Sequence, residues 1–155
     1  MKNKIFAFSI TAMLTGCAAT YEKPNTPAPD TAFPTSASKS SLLTAIKQTL
    51  ASEGYQITFV DENSGVISTA PRDMKLSPAD ADCGTTMGID YLKDNRTHTT
   101  VAVNAIAKNG ELRLKTTVQG DYRPGSVDQN LTLTCVSRGT IEAALANTIT
   151  NLSKK

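Results

Sequence analysis

Two stretches of the chain carry apolar residues at the spacing of a helix face. In each stretch they recur three or four positions apart, which places them on one side of a helix. The first set is Leu43, Ile46 and Leu50, and the second is Ile141, Leu145, Ile149 and Leu152. Ser40 or Ser41 is a candidate N-cap for the first set, and Gly54 follows it where a helix commonly ends. The pattern predicts a helix near the start of the folded region and another at its end.

Between these helices apolar and polar residues alternate, which is the period of a strand with one buried face. The predicted strands are residues 55–60, 66–70, 86–92, 97–107, 111–122 and 131–136. In the first of them Tyr55, Ile57 and Phe59 share one side. Asn109-Gly110 joins the two longest runs and favours the two-residue turn of an antiparallel hairpin. We therefore expect an α+β fold: a two-layer sandwich whose antiparallel sheet of five or six strands is flanked by an N-terminal and a C-terminal helix.

The N-terminus has the layout of an exported protein. Lys2 and Lys4 precede a mostly apolar run over residues 5–14, and small residues follow it. A positive head, an apolar run of about 7–15 residues and small residues before the cut are typical of a secretory signal. The segment Leu14-Thr15-Gly16-Cys17 resembles the lipobox of bacterial lipoproteins. The alternative is an ordinary secretory signal in which a cysteine occurs by chance.

The resemblance implies a lipid anchor at Cys17. In lipoproteins the signal, here residues 1–16, is removed, the cysteine thiol carries a diacylglycerol, and the new amino group is acylated, typically with palmitate. Several acyl chains anchor a protein stably where a single chain is marginal. Ala18 and Ala19 differ from an aspartate-type retention signal, so the resemblance implies the outer membrane; the periplasmic or surface side stays open.

The small positive charge of the chain belongs to its signal. The whole chain has 16 Lys and Arg against 14 Asp and Glu, and removal of residues 1–16 discards Lys2 and Lys4. The mature side chains are then balanced in charge. We therefore expect no nucleic-acid partner and no polybasic membrane patch.

The segment after the lipobox has a different composition from the rest. Residues 18–40 contain four of the seven prolines together with many Ser, Thr and Ala. Such a composition is typical of an extended linker. We therefore divide the mature chain into the lipidated Cys17 with a flexible tether, residues 17–40, and a single domain, residues 41–155. The alternative is that the segment packs on the domain around Phe33.

Three cysteines are present, and the lipid accounts for Cys17. Cys83 and Cys135 remain as an even pair in an exported chain, where disulfides form and persist. We therefore predict a Cys83–Cys135 disulfide. A metal or redox pair is the alternative, but the two residues lack the CxxC spacing of such sites.

The sequence contains few of the residue patterns that catalytic sites require. His98 is the sole histidine, and no serine lies in a GxSxG motif. The loop over residues 71–84 contains Asp73, Asp80 and Asp82 but lacks the longer spacing and terminal Glu of a calcium-binding loop. The chain also has no Trp to line a sugar cleft. We expect no catalytic site, no metal and no cofactor.

These observations favour a non-catalytic binding or scaffold module, held at the cell envelope by its lipid and docked on an envelope protein. The element order loosely resembles that of small lipoproteins that are accessory parts of outer-membrane assembly machines. The partner would bind the open sheet face, an edge strand or the Cys83 loop. One alternative is an envelope hydrolase acting on cell-wall polymer or lipid through Asp80, Asp82, Asp90 and His98. Another is a carrier of an apolar ligand in a cavity between sheet and helices.

Overall fold

A computed structural model describes residues 20–29 and 31–154. The predicted signal and Cys17 lie outside the described residues. In chain order the elements are β1 (Tyr21–Glu22), β2 (Ala32–Pro34), α1 (Lys39–Ser52), β3 (Ile57–Asp61), β4 (Val66–Thr69), β5 (Arg72–Asp73), β6 (Ala81–Asp82), β7 (Thr85–Thr86), β8 (Ile89–Asp90), β9 (Thr97–Lys108), β10 (Glu111–Tyr122), β11 (Leu131–Ser137) and α2 (Thr140–Leu152).

Within the described residues, the main sheet is antiparallel and has eight strands. Six of them follow the order β3-β4-β9-β10-β11-β6, while β2 pairs with β10 and β5 pairs with β9. The predicted α+β class, an antiparallel sheet with two helices, is confirmed. The predicted count of five or six strands is too low, because β2, β5 and β6 are only two or three residues long and show no alternation.

A second, three-stranded sheet has the order β1-β7-β8. The single strand predicted over residues 86–92 is wrong, since the chain turns back between Thr86 and Ile89, which pair with each other. It then forms a 3₁₀ turn over Tyr91–Lys93. Met87 and Gly88 form the two-residue turn. The alternation of apolar residues over 86–92 gave no sign of this turn.

Both helices pack against the same face of the main sheet. On β9 the buried positions are Val101, Val103, Ala105 and Ala107, which alternate with more exposed residues. They share one core with Leu42, Ile46 and Leu50 of α1 and with Leu145 and Ile149 of α2.

The helices have 14 and 13 residues, and no helix in the described ranges is long and apolar enough to cross a membrane.

The predicted C-terminal end of α1 is confirmed, whereas the predicted N-cap is wrong. Its N-cap is Ser38 rather than Ser40 or Ser41, and the Ser38 hydroxyl accepts a hydrogen bond from the Ser41 backbone N–H at 3.2 Å. At the other end Gly54 donates to the carbonyl of Ala51, as predicted for a residue just past the helix.

A β-bulge changes the face of Phe59. The register of β3 on β4 shifts between Ile57, which lies opposite Thr69, and Phe59, which lies opposite Ser68. An extra residue reverses every side chain beyond it. Phe59 therefore leaves the side of Tyr55 and Ile57 and is 54% exposed, contrary to the predicted shared face.

The described part of the predicted tether lies along the domain. Residues of β1 pair with β7, and β2 pairs with the start of β10. Thr26 donates from its hydroxyl to Asp82 at 2.6 Å, and Phe33 packs against the core. The prediction of a free tether over residues 17–40 is therefore wrong for residues 20–29 and 31–40. The alternative, that this segment packs on the domain around Phe33, agrees with the structure. The contact buries apolar surface and pairs a strand edge of β10 that would otherwise be open.

We expect Gly84→Ala to release the N-terminal segment. A Cβ at Gly84 would lie 2.1 Å from the carbonyl oxygen of Glu22, so β1 could not remain beside β7. Gly88→Ala is the matched control: Gly88 also has a positive φ, but nothing lies within 4 Å of its added Cβ. Both variants carry a left-handed strain of about 1–2 kcal/mol.

Amide hydrogen exchange checks this prediction. Residues 21–26 should lose protection in Gly84→Ala and keep it in Gly88→Ala. Equal protection in the two variants would contradict the docking of this segment.

Candidate functional site

The predicted disulfide is present and joins the two sheets. The sulfurs of Cys83 and Cys135 are bonded at 2.02 Å. Cys135 lies on β11, and Cys83 lies in the short link between β6 and β7. Both residues are buried. The bond therefore fixes the small sheet against the edge of the main sheet.

Three tyrosines meet beside this disulfide. The ring centroids of Tyr21 and Tyr91 are 5.8 Å apart, and those of Tyr91 and Tyr122 are 5.0 Å apart, both pairs packed edge to face. The Tyr21 hydroxyl lies 3.4 Å from the carbonyl oxygens of Cys83 and Thr134, to which it donates. Burial raises the pKa of Tyr21. Edge-to-face pairs of this kind stabilise beyond the area they bury.

An ion pair supports the outer side of the tyrosine cluster. The Arg96 guanidinium lies 5.2 Å from the ring centroid of Tyr122 and forms a 2.6 Å ion pair with Asp94. The hydrogen bonds from Arg96 lower the pKa of Asp94 to about 2. The pair thus remains charged at any ordinary pH and holds the guanidinium over the ring.

A groove opens over the tyrosine cluster. It has a volume of about 560 Å³ and lies between the β7–β8 hairpin and the loop over residues 123–130. Its lining includes the three tyrosines together with Thr86, Pro124 and Asp128.

Three large apolar side chains are exposed on the elements that border the groove. Met87, Ile89 and Val127 are 76%, 62% and 82% exposed. We call these three residues the apolar tip. Among the described residues the other large exposed hydrophobic side chains are Phe59 and Val60 on β3. Exposed apolar side chains on the elements that border a groove are consistent with a surface that contacts a partner or a membrane.

A smaller pocket lies under α2. Its volume is about 260 Å³, and its lining includes Tyr55, Met74, Ile141 and Leu145. The Arg72 guanidinium lies 4.4 Å from the Tyr55 ring centroid, and burial raises the pKa of Tyr55. The volume is below the range of about 300–1,000 Å³ that is usual for ligand sites, so the pocket is small for an apolar cargo.

The acidic residues of the hydrolase alternative each accept hydrogen bonds from different partners. Asp80 accepts from the backbone N–H and hydroxyl of Ser77 and from the Thr140 hydroxyl. Asp82 accepts from Thr26 and from the Gly84 N–H. Asp90 caps the 3₁₀ turn by accepting from the Leu92 N–H.

These carboxylates do not converge on His98. His98 is exposed on β9 and lines a pocket with Asp73 and Lys75, whereas Asp80 lines the pocket under α2. Hydrogen bonds from Ser77 and Thr140 lower the pKa of Asp80, which opposes a role as a general acid. Within residues 20–29 and 31–154, no three His, Cys, Asp or Glu side chains are grouped as they would be around a metal ion.

The sequence did not indicate the tyrosine groove. Tyr91 and Tyr122 lie in or near predicted strands, but Tyr21 belongs to the predicted tether, and no local pattern brings the three together. The lone Tyr21 in a segment rich in Pro, Ser and Thr was the one available signal.

No protein-family model matches the chain, and no curated protein matches it. Among solved structures it is similar to a TBP-like protein from Parabacteroides distasonis ATCC 8503, with 11% sequence identity and a TM-score of 0.44. The match covers 68% of this chain, and the chain spans 64% of the length of that protein.

Proposed function

We propose that the protein is a bacterial lipoprotein, anchored to the envelope through Cys17, that acts there as a non-catalytic binding or scaffold module. One observation carries the proposal: the bond between Cys83 and Cys135 accounts for two of the three cysteines and leaves Cys17, at the end of the lipobox-like segment. A buried disulfide also agrees with export to an oxidising compartment.

The outer membrane is the proposed destination, because residues 18 and 19 are alanines rather than an aspartate-type retention signal. The neutral charge of the mature side chains agrees with anchoring by acyl chains rather than by attraction to anionic lipid.

The proposed surface for an envelope protein partner is the free edge of the main sheet at β3. A two-layer arrangement covers one sheet face with helices and leaves strand edges open. β3 ends the strand order, and its Phe59 and Val60 are 54% and 40% exposed. A partner strand added to this edge would gain backbone hydrogen bonds and cover both side chains.

We expect Cys17→Ala to lose acylation and signal cleavage in the bacterial host. The thiol is the group that accepts the diacylglycerol, and cleavage before residue 17 depends on that step in lipoproteins. Labelling of cells with a fatty-acid analogue should mark the wild type, and the variant should run as the longer, unlabelled precursor.

A second variant controls for anchoring by the uncleaved signal. In it an ordinary cleavable secretory signal replaces residues 1–17, so that residues 18–155 are exported without a lipid. We expect it in the soluble envelope fraction, whereas the wild type sediments with membranes. A wild type that stays unlabelled, or that is recovered with this variant in the soluble fraction, would refute the lipid anchor.

A further inference from the structure

The chain enters the domain beside the apolar tip. Tyr21 pairs with Thr86, and Thr86 pairs with Ile89 on the next strand, so these three residues form one row across the small sheet. Because β1 and β7 are antiparallel, the chain reaches Tyr21 from the side on which β7 leads into the turn at Met87 and Gly88.

The entry point is held firmly to the domain. Tyr21 packs on Tyr91 and donates to the carbonyls of Cys83 and Thr134. Its neighbour Glu22 accepts from the Thr85 hydroxyl at 2.8 Å. Any spacer between the lipid and the domain is therefore limited to the residues before Tyr21.

Covalent geometry limits the reach of that spacer. Three residues, 18–20, separate Cys17 from Tyr21, so the two Cα atoms are four peptide units and at most about 14 Å apart. A lipid on Cys17 thus keeps the side of the domain that carries Tyr21 and the hairpin within about that distance of the bilayer surface.

The side chains on this part of the domain suit a lipid surface. Met87 occupies a turn position with a φ of 49°, where Asn, Asp or Gly is favoured, and it is 76% exposed. Ile89 follows on the hairpin, and Val127 stands across the groove that Thr86 and Asp128 line. A methionine in this conformation does not favour the turn, and most of its side chain is exposed.

We propose that the apolar tip, Met87, Ile89 and Val127, inserts into the interface of the bilayer that holds the lipid anchor, so that the domain lies on the membrane in one orientation. The inference rests on the proposed function, because the 14 Å limit applies only if Cys17 is lipidated. In this orientation Tyr21 and the groove face the lipid headgroups, and β3 remains accessible to a protein partner.

Fluorescence quenching in vesicles tests the orientation. The chain contains no Trp, so each substitution introduces a single reporter. Full-length, lipidated M87W is placed in phosphatidylcholine vesicles whose acyl chains carry bromine about 5–10 Å below the interface, the depth that interfacial side chains reach. F59W on β3 is the matched control, since Phe59 is likewise a large, exposed apolar side chain. Flotation with the vesicles is measured on the same samples.

We expect both variants to float and M87W to be quenched severalfold more than F59W. Floating protein with equal quenching at both positions would overturn the orientation and leave the lipid anchor intact. Protein that does not float would refute the anchor and the orientation together. If the Trp of M87W is shielded from water in native membranes but is not quenched by brominated lipid, a protein covers the apolar tip. That result also overturns the proposal.

Discussion

Replacement of Cys83 and Cys135 by alanine should lower the stability of the domain by about 4 kcal/mol, as the chain-entropy model gives for a loop closed over a separation of 52 residues. For a domain of this size the melting temperature should then fall by roughly 10–20 °C. The effect is large because the bond closes a long loop and holds the link between β6 and β7 on β11, where β6 itself joins β11 through only two residue pairs.

Thermal unfolding followed by circular dichroism gives the comparison. Both proteins are studied as residues 18–155 exported without the lipid, which lack Cys17, and Asn147→Ala, an exposed change on α2, is the control that should melt with the wild type. A double alanine variant that also melts with the wild type would contradict a stabilising role for the disulfide.

Glu142→Ala should destabilise the protein by about 3 kcal/mol, because it leaves buried donors without an acceptor. The Glu142 side chain is 1% exposed. It accepts from the Thr116 backbone N–H at 3.2 Å, from the Thr116 hydroxyl at 2.6 Å and from the Ser137 hydroxyl at 2.7 Å. One carboxylate thus joins the first turn of α2 to both β10 and β11, at the helix end where a negative charge is favourable.

Urea unfolding of two further variants separates this network from helix propensity. Glu142→Gln keeps an oxygen for Thr116 and an amide for the Ser137 hydroxyl, so we expect a loss of only about 1 kcal/mol. Asn147→Ala, an exposed change on the same helix, should stay within about 0.5 kcal/mol of the wild type. A Glu142→Ala variant as stable as Asn147→Ala would contradict the network.

The sequence predicted the elements whose pattern is local and long. The two helices, the hairpin of β9 and β10, and the last strand each contain enough apolar residues in register to show their period. The disulfide was also predictable from the sequence. The chain has three cysteines, and once one is assigned to the lipid a single pair remains.

Pairings of two or three residues were not predictable in this way. β2, β5 and β6 form because the long strands β9, β10 and β11 have unpaired stretches of edge that these segments can reach. The bulge in β3 and the turn at Met87 likewise depend on tertiary contacts. The tyrosine groove combines Tyr21 from the N-terminal segment with Tyr91 and Tyr122, so no single stretch of sequence contained it.

The mass of the N-terminal peptide from membrane-isolated protein shows directly whether Cys17 carries a lipid. Trypsin cuts poorly at Lys23, which precedes Pro24, so the peptide should end at Lys39. If the protein is a lipoprotein, this peptide comprises residues 17–39 and carries diacylglycerol on Cys17 and a further acyl chain on its amino group. A peptide that begins at another residue, or one that begins at Cys17 without lipid, would contradict it.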